Sequence, residues 1–459
     1  MIGLHLDDAA LALARDGVSL SVASSIVHAD AASSASFGRS AVELIRYRPL
    51  AVSTRHWSEL ARGDMAARTN ARGVVRAELS YRLGVAGTPG DLRVAVPATF
   101  TAETCGAVLA ELQALGWTVR GFYDAAALTA SACGIDGTAI VVEVGLHHVA
   151  ASAVGADSRR RATSVRMRSG LLALQEAWLD LVSEAMVRHS RFDPLHDAAE
   201  EQRVFEAVMG WAATAARDGI VHIEWSTPTG QIVIPLTRDV FAATAAPIYR
   251  DVLGVVHELR SAGASIDLLL PECMRDWPGI TDALEDVRGA RRATISTDVA
   301  ARAASLLPDQ SSDQLTTTAV MLWRGASGLS PIVTPQAWPN DGGSSSTDGS
   351  SPSRRPSHAI FGERAYPLAP GTSLGIGRAP GPMGLTLPED TRGVSRLHCT
   401  LRIVDEGVEL IDHSRHGTWV NDERVVHRVR VSAGDRIRVG APGLVIALLA
   451  AGEAHGSPA

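Results

Sequence analysis

The chain has 459 residues, 46% of them hydrophobic and 20% charged, with a formal net charge of −7. That length exceeds one ordinary domain and carries apolar residues enough for two or three cores, while the acidic balance argues against a general nucleic-acid binder. All 43 basic residues are arginines, which excludes Schiff-base, P-loop and kinase-type lysine chemistry.

Met1 to Gly17 places Asp7 and Asp8 where a secretory signal needs a basic start and an apolar run, so no signal is expected. The stretches 2–6 and 10–14 predict two strands, with Asp16-Gly17 as a turn. Leu92 to Pro97 predicts a buried strand. Thr101 to Leu115 predicts a helix, with Thr101 and Glu103 at its start and Gly116 as its stop. Ala139 to Val144 predicts another strand, and His147-His148 follows it. Adjacent strand residues face opposite ways, so these two histidines are expected as surface or loop residues and not as joint ligands of one metal. The run Arg159-Arg160-Arg161-Ala162-Thr163 predicts a solvated charged turn, with a kinase phosphosite as the competing reading. Leu171 to His189 and Ala198 to Arg217 predict long helices, and Trp178, Trp211 and Trp225 are expected in the core. Ser265 to Pro271 predicts a late strand before a helix near Ile280. Alternating strands and helices indicate an α/β body.

Residues 339–353 offer nothing apolar but proline. Such a stretch cannot offset its ordering entropy and predicts a disordered tether. The expected organisation is a body at 1–330, a Gly/Ser/Pro linker at 331–358 and a small all-β module at 359–452. Residues 360–450 hold 11 Arg against 10 Asp and Glu, a net of +1, so the remainder carries −8. Within the module, short apolar runs at 373–376, 399–404, 408–411, 418–420, 436–439 and 443–449 alternate with turn residues and predict a sandwich. Cys105, Cys133, Cys273 and Cys399 form no CxxC pair, which fits a reducing cytoplasm without disulfides or structural zinc. No run of about 20 apolar residues occurs, so no membrane span is expected.

The module's chemistry lies in four strings: Gly375-Ile376-Gly377-Arg378; Ser395-Arg396-Leu397-His398; Asp412-His413-Ser414-Arg415-His416-Gly417-Thr418-Trp419-Val420-Asn421; and Gly434-Asp435-Arg436-Ile437. Two arginines and a hydroxyl at strand-end loops make a phosphate site through charge-assisted hydrogen bonds. An ion pair of Arg378 or Arg396 with Glu389 or Asp390 is the competing reading. In order and spacing these strings resemble the forkhead-associated (FHA) family. The resemblance implies phosphothreonine contacts from Arg378, Ser395 and Arg396. It also implies peptide contacts from the loop carrying Arg415 and His416, and support of the site by Gly377, His398, Gly417, Thr418 and Asn421. His416 stands where the family usually has a peptide-holding Asn, and Asp422 where a turn glycine is common. The implied partner is a threonine-phosphorylated protein, connected to a Ser/Thr kinase as kinase or substrate. The arginine- and alanine-rich composition suggests a GC-rich bacterium.

The body resembles the nucleotide-binding domain of Hsp70 chaperones and, more distantly, actin. The carrying strings are Ile2 to Leu6, Val94 to Ala98, Leu115 to Val119 leading to Tyr123-Asp124, Ile140 to Gly145 and Leu236 to Phe241. Measured against that family, the phosphate-binding glycines are missing. His5 takes an acid position, Asp7-Asp8 replace the first phosphate loop, and Leu146-His147-His148 replace glycines of the second. Pro271-Glu272-Cys273-Met274 replaces the adenosine loop, and Asp124 keeps a carboxylate where the family orients water. Carboxylates beside a triphosphate repel it. The expected function is therefore a non-enzymatic, phospho-dependent adaptor without cofactor: a pseudo-ATPase body acting as scaffold, joined to an FHA reader. The alternative is a divergent ATPase regulated through its FHA module.

Overall fold

The computed structural model describes residues 1–308, 331–338 and 356–449, apart from 30–34, 63, 228–229, 261–264, 362–363, 370, 382–383, 389–390, 392, 405–406, 422, 434 and 441–442. The chain divides into two compact units, the second comprising chiefly the residues beyond 342.

The two larger sheets of the α/β unit are built by the same connection. In the first, the antiparallel strands Val18–Ser24, Ala10–Arg15 and Ile2–Leu6 are followed by Asp91–Val96 and Thr118–Asp124, each parallel to its neighbour. In the second, Arg160–Met167, His148–Val154 and Ala139–Val144 are antiparallel. Ile266–Pro271 and Ala290–Ile295 then run parallel. The helix Met65–Leu83 precedes the first parallel pair, and Ala102–Ala114 crosses between its strands. Leu171–Ser190, Ala198–Asp218 and Arg238–Leu259 precede the second pair.

Each sheet hands over to an alanine-rich helix, Ala125–Ala132 after the first and Val299–Leu306 after the second. Seven of the eight residues of Ala125–Ala132 are buried, as expected of a helix apolar all round. Small side chains let these helices approach both neighbours closely. One face of Ala125–Ala132 shares a core with Val299, Ala300, Ala303 and Ala304, and another with Val141 and Leu269. Leu128 is fully buried there, and truncating such a leucine to alanine costs about 2–5 kcal/mol.

Two expectations are corrected here. The body does not stop at residue 330. The N–H groups of Ile332 and Val333 donate to the Ala132 carbonyl, Gln336–Ala337 pairs with Ala290–Ile295, and Trp338 is buried with its indole N–H 3.2 Å from Thr281 Oγ1. An apolar Ile-Val pair and a tryptophan gain more by burial than they lose by ordering, so the boundary moves to about Trp338. Residues 339–355, the heart of the expected tether, lie outside the described residues. The Arg159 to Thr163 run is not a turn: Arg160 and its successors form the strand Arg160–Met167, paired along His148–Val154.

The second unit is a two-sheet sandwich. One sheet has the order Arg364–Pro367, His358–Phe361, Leu444–Leu449, Arg436–Val439, Thr418–Val420 and Glu423–Arg424. The other runs Leu385–Thr386, Ser373–Gly377, Cys399–Val404, Gly407–Asp412 and Arg428–Val431. Alternate residues of each strand face a shared core of Ile376, Cys399, Leu401, Leu410, Ile437, Val439, Ile446 and Leu448. Among the described residues, no helix of either unit is long and apolar enough to cross a membrane.

Candidate functional site

One end of the sandwich gathers three loops. The strand Ser373–Gly377 ends at Gly377, and a Cβ built there would lie 2.2 Å from the Arg396 carbonyl oxygen. Only glycine permits that approach. The two arginine loops are stitched through their backbones: Arg378 N–H donates to Ser395 O at 3.1 Å, Ala379 N–H to Arg396 O at 2.8 Å, and His398 N–H to Ile376 O at 2.7 Å. Register in this stitch therefore holds Arg378, Ser395 and Arg396 as neighbours. Arg378 and Arg396 are exposed and Ser395 is half-buried. Among the described residues no ion pair or side-chain hydrogen bond engages either arginine. Glu389 and Asp390, the competing ion-pair partners, lie outside the described residues, as does Asp422.

The third loop is joined to the first two by one imidazole. His398 is fully buried; its Nδ1 accepts from Ser395 N–H at 3.1 Å and its Nε2 meets the Gly417 carbonyl at 3.1 Å. The carbonyl can only accept, so the ring is the neutral Nε2–H tautomer. Burial holds its pKa below the usual histidine range, against the raising effect of the Gly417 carbonyl.

The loop itself folds on Asp412. One oxygen accepts from Ser414 N–H at 2.9 Å and from Thr418 Oγ1 at 2.7 Å, while Ser414 Oγ accepts from Gly417 N–H at 2.7 Å. Thr418 is fully buried, and Arg415 and His416 sit exposed at the loop tip. Asn421, left-handed at φ 49°, braces the far end. Its amide donates to Asp435 at 2.8 Å and its carbonyl oxygen accepts from Arg436 N–H at 2.9 Å. Asp412 and Ser414 were not singled out from the sequence as site residues, although Asp-x-Ser before a tight turn is the signature of such side-chain-to-backbone bonds.

The α/β unit has a second polar centre, where the tips of two hairpins meet. Asp8, between Ile2–Leu6 and Ala10–Arg15, accepts from Leu146 N–H at 2.9 Å and pairs with His148 Nδ1 at 3.3 Å. A Cβ at Gly145 would fall 2.2 Å from the Asp8 oxygen, so glycine is required for the hairpins to touch. His148 is buried, and His147 is half-buried with its Nε2 3.0 Å from Thr54 Oγ1. The expectation of surface or loop histidines is thus overturned for His148, because a nearby carboxylate makes its burial tolerable. Burial opposes the charge on His148, but Asp8 outweighs it and holds the imidazole up at about 9. Asp8 is correspondingly lowered, His148 overcoming its burial. Burial and the neighbouring Asp8 drive Asp7 well above the usual carboxyl range, and burial with Asp124 lifts Glu143 to about 7. Asp124 caps the helix Ala125–Ala132 through Ala127 N–H at 2.8 Å and pairs with Arg160 at 3.1 Å. Burial raises it, offset by Arg160.

Compared with curated proteins, the chain has no significant match. Residues 374–440, which hold every loop of the stitched site, match the FHA domain family; this chain carries an FHA domain, a module of phosphothreonine-dependent protein interaction.

Proposed function

We propose that the protein is a non-enzymatic adaptor that docks onto threonine-phosphorylated partners through Arg378, Ser395 and Arg396. The observation that carries this reading is the backbone stitch. It holds two exposed arginines and a hydroxyl together at one sandwich end, with no ion pair to either arginine among the described residues. Preorganised cations bind phosphate with little ordering cost. Arg415 and His416, at the tip of the loop that His398 holds, contact the peptide beside the phosphate.

The α/β unit fits a degenerate Hsp70/actin-like scaffold. Its two sheets share one connectivity, and acids occupy the hairpin tips that a nucleotide's phosphates would need. Calorimetry with phosphothreonine, phosphoserine and unphosphorylated versions of one peptide tests the docking role. Phosphothreonine is expected to bind more tightly than phosphoserine by roughly 5-fold, the worth of one buried methyl. Arg378→Ala is expected to weaken binding by about 10- to 150-fold without a change in melting temperature. Equal affinity for the unphosphorylated peptide would overturn the reading.

A further inference from the structure

Beside the Asp8–His148 pair, within the α/β unit, lies a cavity of about 360 Å³. One wall is apolar, formed by Val22, Val144, Leu171 and Ile295; the polar wall includes His5, Asp7 and Glu143. Among the described residues, no arginine lines it. His5 Nδ1 faces the Thr297 carbonyl at 3.5 Å, so the ring proton sits there and Nε2 is a bare acceptor. That Nε2 is shut off from solvent with no hydrogen-bond partner. Burial keeps the ring neutral, its pKa lowered to about 4. Glu143 accepts one long bond, 3.4 Å from Ala98 N–H. The cavity thus presents an orphaned lone pair and an under-used carboxyl, and a buried polar atom without a partner calls for an explanation.

What is missing is a donor carrying positive charge on an apolar body. An anion would meet Asp7 and Glu143 with no arginine among the described residues of the wall. A metal ion is a poorer fit, because among the described residues no three His, Cys, Asp or Glu side chains converge as ligands. We propose that this cavity binds a small organic cation, an amidinium or protonated amine on a flat apolar group, with N–H donors directed to Glu143 and His5.

The charged groups that act on the two carboxyls are Asp8 and His148 from the hairpin tips, and Asp124 with Arg160 on the far side of Glu143. Both of those pairs are internally compensated. Binding of a cation therefore favours ionised Glu143 and Asp7 and strengthens as pH rises.

The test is calorimetry of the full chain with benzamidine as probe and benzoate as its anionic counterpart. Benzamidine is expected to bind at one site, about 10-fold more tightly at pH 8 than at pH 6, since a group titrating near 7 must lose its proton. Glu143→Gln keeps the acceptor for Ala98 N–H while removing the charge. It should weaken binding at least ~10-fold and flatten the pH dependence. Val22→Trp, at a partly exposed strand position on the cavity wall, should block binding independently of any charge. Benzoate binding as well as benzamidine, no benzamidine binding at millimolar concentration, or full affinity in a folded Val22→Trp variant would overturn the proposal.

Discussion

Replacing His398 with alanine is expected to loosen all three loops of the phosphopeptide end at once. The ring is fully buried and joins Ser395 N–H to the Gly417 carbonyl. Its removal strands one donor and one acceptor, each costing about 1–3 kcal/mol if no water replaces the ring. A loss of about 2–6 kcal/mol is the working range, a large share of the 5–15 kcal/mol that holds a typical domain. Hydrogen exchange read by mass spectrometry on the full chain locates the effect. Amides of the Val394 to Leu401 segment and of Gly417 to Val420 should exchange faster by about 30-fold or more. Protein assays on the α/β unit should be unmoved. Acid should act like the mutation in milder form. The folded pKa of His398 lies below its unfolded value. Its contribution is therefore present above about pH 6.5 and is lost as pH falls through the folded value. Unchanged exchange in both segments, together with weakened phosphopeptide binding, would refute the bracing role and place His398 against the ligand.

Three further outcomes follow from the geometry. Gly377→Ala should lower both melting temperature and phosphopeptide affinity, because its methyl meets the Arg396 carbonyl at 2.2 Å; a folded variant with full affinity would contradict the stitched arrangement. Millimolar Mg-ATP should leave the α/β unit's melting temperature unchanged, whereas a binder at a hundredfold excess over its dissociation constant gains about 2.7 kcal/mol. A rise of several degrees would move the divergent-ATPase reading to the front. The His148 contribution is fully present below the unfolded value near 6.5 and is lost as pH rises through about 9. The parent protein is therefore expected to lose stability in thermal melts as pH rises between about 7 and 10, and His148→Ala to abolish that decline.

Much of the architecture was legible because the local signals agree with the fold. Ala10–Arg15, Ala102–Ala114, Ala198–Asp218 and Ile266–Pro271 all fall where periodicity and caps place them. Arg160–Met167 was missed because a run of three arginines reads as solvated. In the sheet Ser164 is buried at the middle of the strand, and Arg160 pairs with Asp124 instead of projecting into water. His148 was misread for the opposite reason. Its neutralising partner lies 140 positions away, and no local pattern reveals Asp8 at 3.3 Å. In the sandwich, Arg378 and Arg396 stood out as residue types, but the backbone bonds that make them neighbours connect loops about 18 positions apart. The strand Arg428–Val431, half its residues arginine, carries too weak an apolar pattern to be recognised alone.

The clasp between the hairpin tips has a consequence for time as much as for structure. In a cleft whose halves are joined by a bound metabolite, closure comes and goes with that molecule's supply and turnover. Here Asp8, Leu146 and His148 make the join from the chain itself. The joined arrangement therefore needs no bound molecule to hold it. A protein held in that way keeps no clock. Whatever surface the joined hairpins present is presented continuously, and on the proposed reading the moment of engagement is set by phosphorylation of the partner.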